Sequence, residues 1–182
     1  MKLQNEQLFE TLFEEYRVLV FNMALNYMQN IEDAEEVTQD VFIKIYHSLE
    51  QFHHKSSYKT WIYRITINQC LDTLKKKNSS KRMYVFGKKS QNEQEYLNTA
   101  TFEHPGIVME RQEDAAILFN AIQSLTENQK TAFLLSKLDG LSNPEVSEIM
   151  ALSISSVESL LFRAKANLKE LLANKFENYR KK

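Results

Sequence analysis

Three glycines and two prolines are all that interrupt the 182 residues of this chain, and that scarcity of turn formers constrains the fold more than any other feature. Sheets and barrels need a tight turn about every ten residues, and Gly and Pro are the residues that most readily supply it. A chain with so few of them must be built from long elements and few connections. The stretches between them carry apolar residues three and four apart, so an all-α protein is expected.

Residues 5–29 place Leu8, Phe9, Leu12, Phe13, Tyr16, Leu19, Val20, Met23, Ala24, Tyr27 and Met28 at helical spacing. After a break at Asn30, the residues Ala34, Val37, Thr38, Val41, Phe42, Ile45, Leu49 and Phe52 resume the rhythm and leave Asp33, Glu35, Glu36, Gln39, Asp40 and Lys44 outside. Carboxylates in a first turn suit the positive end of a helix dipole, which is a structural reason for Asp33, Glu35 and Glu36. A polar loop, His53-His54-Lys55-Ser56-Ser57, leads to a third helix from Tyr58 through Trp61, Ile62 and Ile65 to Leu74. These pieces predict a three-helix bundle over residues 1–76. Residues 77–105 carry no sustained period and are expected to be a flexible linker. Residues 106–182 predict a second, four-helix domain, in which one helix opens on a Thr126-x-x-Gln129 capping box and Asp139-Gly140 forms a turn.

The end of that domain reads SNPEVSEIMALSISSVESLLFRAKANLKELL over residues 142–172: a short helix, a polar turn and a longer amphipathic helix. Two Ser-x-x-Glu boxes, Ser142 with Glu145 and Ser155 with Glu158, are expected to open the two helices, each Ser accepting from an amide and each Glu reaching back. Val157, Leu160, Leu161, Ala164, Leu168, Leu171 and Leu172 form one stripe. Ser156, Glu158, Ser159, Phe162, Arg163, Lys165 and Lys169 stay outside it, and a face of short polar, aromatic and basic groups can enter a major groove. The order of parts is that of a helix-turn-helix, and an ordinary helical hairpin would carry the same spacing.

Net charge is −1, but it is segregated: residues 1–42 hold 2 basic and 9 acidic groups, 43–89 hold 11 and 2, and 90–182 hold 10 and 13, giving −7, +9 and −3. Such segregation points to two kinds of partner, a basic surface for the acidic helices and a polyanion for the middle, unless the acidic block is a solvated helix face. A single cysteine, Cys70, fits a reducing compartment. No apolar run is long enough to span a membrane and the N-terminus lacks a secretory pattern, so a soluble, cytoplasmic protein without membrane insertion is expected. No phosphate-binding glycine loop, nucleophile elbow or carboxylate dyad is present, and His53-His54 lacks partners at ligand spacing. Nothing in the sequence points to an enzyme, a cofactor or a metal.

Phe52, Tyr58, Trp61 and Tyr63 interleave with Lys55, Lys59, Arg64 and the Lys75-Lys76-Lys77 run. Rings that stack on bases beside cations that follow phosphates make a single-strand binding composition, although Trp61 and Phe52 could equally fill the bundle core.

With these parts in order, the chain resembles the bacterial sigma factors of the extracytoplasmic-function (ECF) branch, the minimal form with region two and region four. Asp33-Ala34-Glu35-Glu36-Val37-Thr38-Gln39-Asp40-Val41-Phe42 is similar to the family's D-A-E-D-x-x-Q-E-x-F helix, and Tyr58-Lys59-Thr60-Trp61-Ile62-Tyr63-Arg64-Ile65-Thr66-Ile67-Asn68 to its F-x-T-W-L-Y-R-I-A-x-N segment. Leu138-Asp139-Gly140-Leu141-Ser142 and Val157 through Lys165 resemble its L-x-G-x-S and V-K-S-R-L-x-R-A-R segments.

The resemblance implies that Asp33, Glu35, Glu36, Gln39 and Asp40 dock on core RNA polymerase. It also implies that the loop His53, His54, Lys55, Ser56 and Ser57, with Lys59, Arg64, Asn68, Lys75 and Lys76, engages and melts the minus-ten element and holds an extruded non-template base. Ser155, Ser156, Ser159, Phe162, Arg163 and Lys165 would read the minus-thirty-five element. Implied partners are core polymerase and promoter DNA, with an anti-sigma factor as a further candidate; no catalytic residue or cofactor is implied. Two positions depart from the pattern: Glu158, where the family often has Lys or Arg, and Leu160, where it often has Arg. Capping would explain the first and packing the second. The rival readings are a dimeric helix-turn-helix regulator, which leaves Trp61 to Asn68 unexplained, and a sigma-like interaction protein that no longer reads promoters.

Overall fold

The computed structural model describes residues 2–52, 56–87 and 112–180, with side chains for 5–52, 56–79 and 115–173. The chain divides into two compact units, Met1–His104 and Pro105–Lys182. No strand occurs among the described residues, as the lack of turn formers requires.

The first unit is built from α1 (Lys2–Met28), α2 (Ile31–Ser48) and α3 (Tyr58–Gly87), each packed on the other two. The core takes Val20, Met23 and Tyr27 from α1, Val37, Val41 and Ile45 from α2, and Ile62, Tyr63 and Cys70 from α3, all essentially out of solvent. Each large apolar side chain so buried is worth about 1.5–3 kcal/mol, which is what holds the helices together. Between α1 and α2 the chain reverses through Gln29, whose φ is 57°. Asn30 then caps α2, its side chain accepting from the Asp33 amide at 2.9 Å. A 3-10 turn, Leu49–Gln51, closes α2.

The expected boundary at residue 76 is corrected by α3, which continues through the Lys75-Lys76-Lys77 run to Gly87. Residues 77–87 are therefore helical rather than linker. Extending an existing helix avoids the nucleation cost, and the sequence after Leu74 has no Gly or Pro before Gly87. A missing apolar period removes a reason to pack, not a reason to be helical. The rest of the expected linker, 88–105, lies outside the described residues.

The second unit contains α4 (Gln112–Gln123), α5 (Glu127–Phe133), a π-helical turn (Leu134–Leu138), α6 (Asn143–Met150) and α7 (Ile154–Arg180). α7 packs on α4, α5 and α6 through Val157, Leu160, Leu161, Ala164 and Leu168, while Leu171 and Leu172 at the end of the expected stripe are half-buried. Gly140 ends the π-turn with φ 70°, while the Asp139 amide donates to the Leu134 carbonyl at 3.1 Å and the Leu141 amide to the Leu135 carbonyl at 3.0 Å. A left-handed residue just past a helix end is where Gly is favoured. The box opening α6 is present: the Ser142 amide donates to the Glu145 carboxylate at 2.8 Å and the Ser142 hydroxyl at 2.7 Å.

Two other capping expectations are corrected. α7 starts at Ile154, so Ser153 and not Ser155 is its cap, accepting from the Ser156 amide at 3.2 Å. Ala151 adopts a left-handed conformation, φ 53°, and completes the turn early enough for Ser153 to take this position. Glu158 is then too far along the helix to close a box. At α5, Thr126 occupies the cap position without a side-chain cap bond, and Gln129 is buried. Its Oε1 accepts from Asn167 Nδ2 on α7 at 3.1 Å, so the polar group expected at the cap serves helix packing instead.

Candidate functional site

Candidate residues fall on three helices. On α2, Glu35, Glu36 and Gln39 are exposed, while Asp33 and Asp40 are half-buried. Both of the latter are tied to α3: Asp33 pairs with Lys77, and Asp40 Oδ2 accepts from Gln69 Nε2 at 2.6 Å. The antiparallel course of α2 and α3 makes this possible, since moving forward from Asp33 to Asp40 moves back from Lys77 to Gln69. Sequence spacing placed all five side chains on an outer face, whereas packing assigns two of them to the seam between helices.

The outer face of α2 continues beyond the acidic segment. Ile43 and Tyr46 are exposed, and with Glu36 and Gln39 they follow the three-four spacing of one helix face. Tyr46 is steadied by an edge-to-face contact with Phe9, 5.2 Å between centroids. Neither residue stands out in the sequence, where the acidic side chains mark this face. The signal was available: both fall in register with Gln39 rather than with Val41 and Ile45.

On α3, Trp61, Arg64, Asn68 and Lys75 lie three, four and seven residues apart and so share a face. Asn68 and Lys75 are exposed, and Trp61 and Arg64 are half-buried. Trp61 therefore lies between the two roles considered for it. It packs beside Phe52 at 4.8 Å, which stacks on Tyr58 at 4.6 Å, so three rings gather at the start of the helix with part of their surface in water. Ser57 caps α3: its Oγ accepts from the Thr60 amide at 3.1 Å and shares a bond of 2.9 Å with the Thr60 hydroxyl. Ser56 is half-buried, and Lys59 and Lys76 are exposed away from the Asn68 row. His53, His54 and Lys55 lie outside the described residues. Cys70, one turn from Thr66, is fully buried, and burial pushes its thiol up to about 12, so it is no nucleophile near neutrality.

On α7, Ser155, Ser156, Ser159, Phe162, Arg163 and Lys165 are all exposed, Phe162 to 76%. An aromatic ring so open to water contributes little to folding and is suited to meet a partner. Arg163 Nε donates to the Ser159 carbonyl at 3.1 Å, which holds the guanidinium against the helix through the nitrogen nearest its stem. Ser155, Ser156, Ser159 and Arg163 line an open groove of about 360 Å³, with Asn128 of α5 on its far wall. Leu160 is buried, so its departure from the family pattern has the packing explanation expected of it.

Among the described residues no cluster of three or more metal-ligating side chains occurs, and no helix is long and apolar enough to cross a membrane.

Comparison with known proteins matches residues 12–80 to sigma-70 region 2 and residues 115–168 to sigma-70 region 4. The ECF RNA polymerase sigma-E factor of Escherichia coli K12 is 30% identical over 165 residues, covering 88% of this chain and 84% of that protein. The sigma-E factor of Haemophilus influenzae is 29% identical over 174 residues, covering 95% and 89%. In fold, the chain is similar to the sigma factor RpoE of Bartonella quintana, solved in complex with the anti-sigma factor NepR, with a TM-score of 0.66 at 20% identity over 91% of this chain and 96% of that one. A two-unit helical chain whose units match region 2 and region 4 belongs to the ECF branch of the sigma-70 family. Its function is that of a sigma factor, directing transcription to promoters.

Proposed function

We propose that the three helix faces divide the work of initiation among them. Glu35, Glu36 and Gln39 on α2, flanked by Asp33 and Asp40, dock on a basic surface of core RNA polymerase. The α3 face of Trp61, Arg64, Asn68 and Lys75, with Lys59, Lys76 and the 53–57 segment, engages the minus-ten element and favours its melting. The α7 face of Ser155, Ser156, Ser159, Phe162, Arg163 and Lys165 enters the major groove at the minus-thirty-five element. In this reading residues 1–87 carry the first two tasks and 112–180 the third. The chain has no catalytic residue of its own and works in the cytoplasm, where its template is. An anti-sigma factor, such as the one bound to the Bartonella protein, completes the set of proposed partners.

One observation carries this reading: Asn68 stands exposed in the same row as Arg64 and Lys75, two turns along α3 from the half-buried ring of Trp61. A regulator that binds closed duplex has no use for that surface. Extruding a base costs a few kcal/mol, which stacking and hydrogen bonding can offset. Run-off transcription with core polymerase, with and without the chain, on a library of promoter fragments is expected to give promoter-specific transcripts. Asn68→Ala is expected to bind core polymerase as wild type does but to open a matched promoter at least about ten-fold less well, with recovery on a template whose minus-ten region is mismatched. Equal permanganate reactivity of wild type and variant on the matched duplex would remove Asn68 from the opening step.

A further inference from the structure

Glu158 is a charged residue on α7 to which folding assigns no role. It is exposed, and the helix is capped by Ser153 rather than by a box that would employ it. It is the fifth residue of a helix that starts at Ile154, beyond the first turn where a carboxylate gains from the helix dipole. The positions three and four away are Ile154, Ser155, Leu161 and Phe162, so no cation stands where a helical ion pair would need one. Among the described residues no hydrogen bond or ion pair holds its carboxylate.

Its position carries the rest of the argument. Glu158 lies one turn before Phe162, in the row that continues to Lys165 and Lys169, and next to Ser155 and Ser159. All of these are exposed. A carboxylate on a face that approaches DNA is repelled by every phosphate and gains nothing from the backbone. What it can do in a major groove is accept a hydrogen bond from an amino group on a base edge, and the exocyclic amine of cytosine is the base donor that suits a carboxylate. We propose that Glu158 is a specificity-determining residue that reads the N4 amine of a cytosine in the upstream promoter element. The inference rests on the reading of α7 as the helix that enters the groove.

The test is selection of polymerase-bound promoters from a library randomised over the minus-thirty-five region, with the full chain and core polymerase. Wild type is expected to favour cytosine about ten-fold or more at one position. Glu158→Ala should lose that preference and keep the others. Glu158→Arg should replace it with guanine at the same position, because Arg pairs with the guanine O6 and N7 edge. A uniform gain of affinity for all sequences in Glu158→Ala, with the base preferences unchanged, would mean that the carboxylate merely repels DNA and overturns the proposal. Arg163→Ala, run in parallel, keeps the two levels apart. If it alters base preferences while both Glu158 variants do not, this inference fails and the reading of α7 stands. If wild type shows no preference in this region and Arg163→Ala changes nothing, both fail.

Discussion

The acidic helix of the first unit and the last helix of the second present candidate residues in different ways. α2 uses two of its carboxylates to fasten itself to α3, through Asp33 with Lys77 and Asp40 with Gln69. α7 packs by an apolar stripe and keeps Ser155, Ser159, Phe162 and Lys165 in water. In the proposed reading, a polar residue on the first kind of helix serves both folding and a partner. On the second kind, packing and exposed polar residues lie on opposite faces, so they can be changed separately.

The largest expected effect tests whether the second unit depends on its apolar seam. Leu135, wholly buried in the π-turn, should cost about 2–5 kcal/mol when cut to Ala, from lost transfer energy and the cavity left behind. Urea denaturation followed separately in each unit should register the loss in the second and spare the first. Coincident loss in both would end the description of two independent units.

The next effect tests the double duty of α2. Gln69→Ala leaves the half-buried Asp40 carboxylate without its 2.6 Å donor, and a destabilisation of about 1–3 kcal/mol is expected. Glu36→Lys, at an exposed position, should leave the melting temperature nearly unchanged and weaken pull-down of core polymerase. Asp40→Lys should do both. If Asp40→Lys proves as stable as Glu36→Lys, the distinction between seam and open face is wrong.

A smaller effect belongs to the helix-turn-helix. Ala151 holds φ 53°, which a β-branched side chain tolerates poorly, so Ala151→Val should cost about 1–2 kcal/mol, and Ala151→Gly should be neutral or slightly stabilising. Thermal denaturation of the two variants checks the order.

The smallest effect concerns a cation inside the second unit. Lys130 is buried on α5, its Nζ donating to Gln123 Oε1 at 2.6 Å, and burial holds its pKa below the usual 10.5. The unfolded chain then binds the proton more tightly than the folded one, so stability should rise with pH between the lowered pKa and 10.5. In Lys130→Met that slope should be missing, and the comparison of the two proteins removes the contribution of the other lysines. Parallel stability profiles for the two would show that Lys130 titrates as it does in the unfolded chain.

Much of the architecture was legible: apolar spacing sets which face packs, as in the stripe on α7 and the core of α2, and the scarce turn formers mark a connection, as at Asp139-Gly140. Local signals with two solutions were harder to read. In SISSVES, Ser153 and Ser155 both precede a plausible first turn, and the left-handed turn at Ala151 decides between them. Thr126 and Gln129 form a box on paper, but Asn167 competes for the glutamine from another helix, and sequence distance hides that competitor. The same blindness made Asp33 and Asp40 look like pure surface. Ile43 and Tyr46 were overlooked for the opposite reason, since hydrophobicity alone does not distinguish a core face from an exposed one.

The length of α3 has a mechanical meaning. A helix advances about 1.5 Å per residue, so Asn68 stands roughly 10 Å from Lys75 and its axis runs on for roughly 28 Å to Gly87. Had the segment after Leu74 been a tether, its cations would have wandered, and their pull on a polyanion would have been an average over many positions. In a helix Lys75, Lys76 and Lys77 keep a set distance and bearing from Asn68, as marks do on a ruler. A nucleic-acid strand lying along α3, as proposed, would then meet charge at a fixed interval from the Asn68 row. Inserting a single residue near Lys75 would turn the charges about 100° around the axis while barely changing their number or distance.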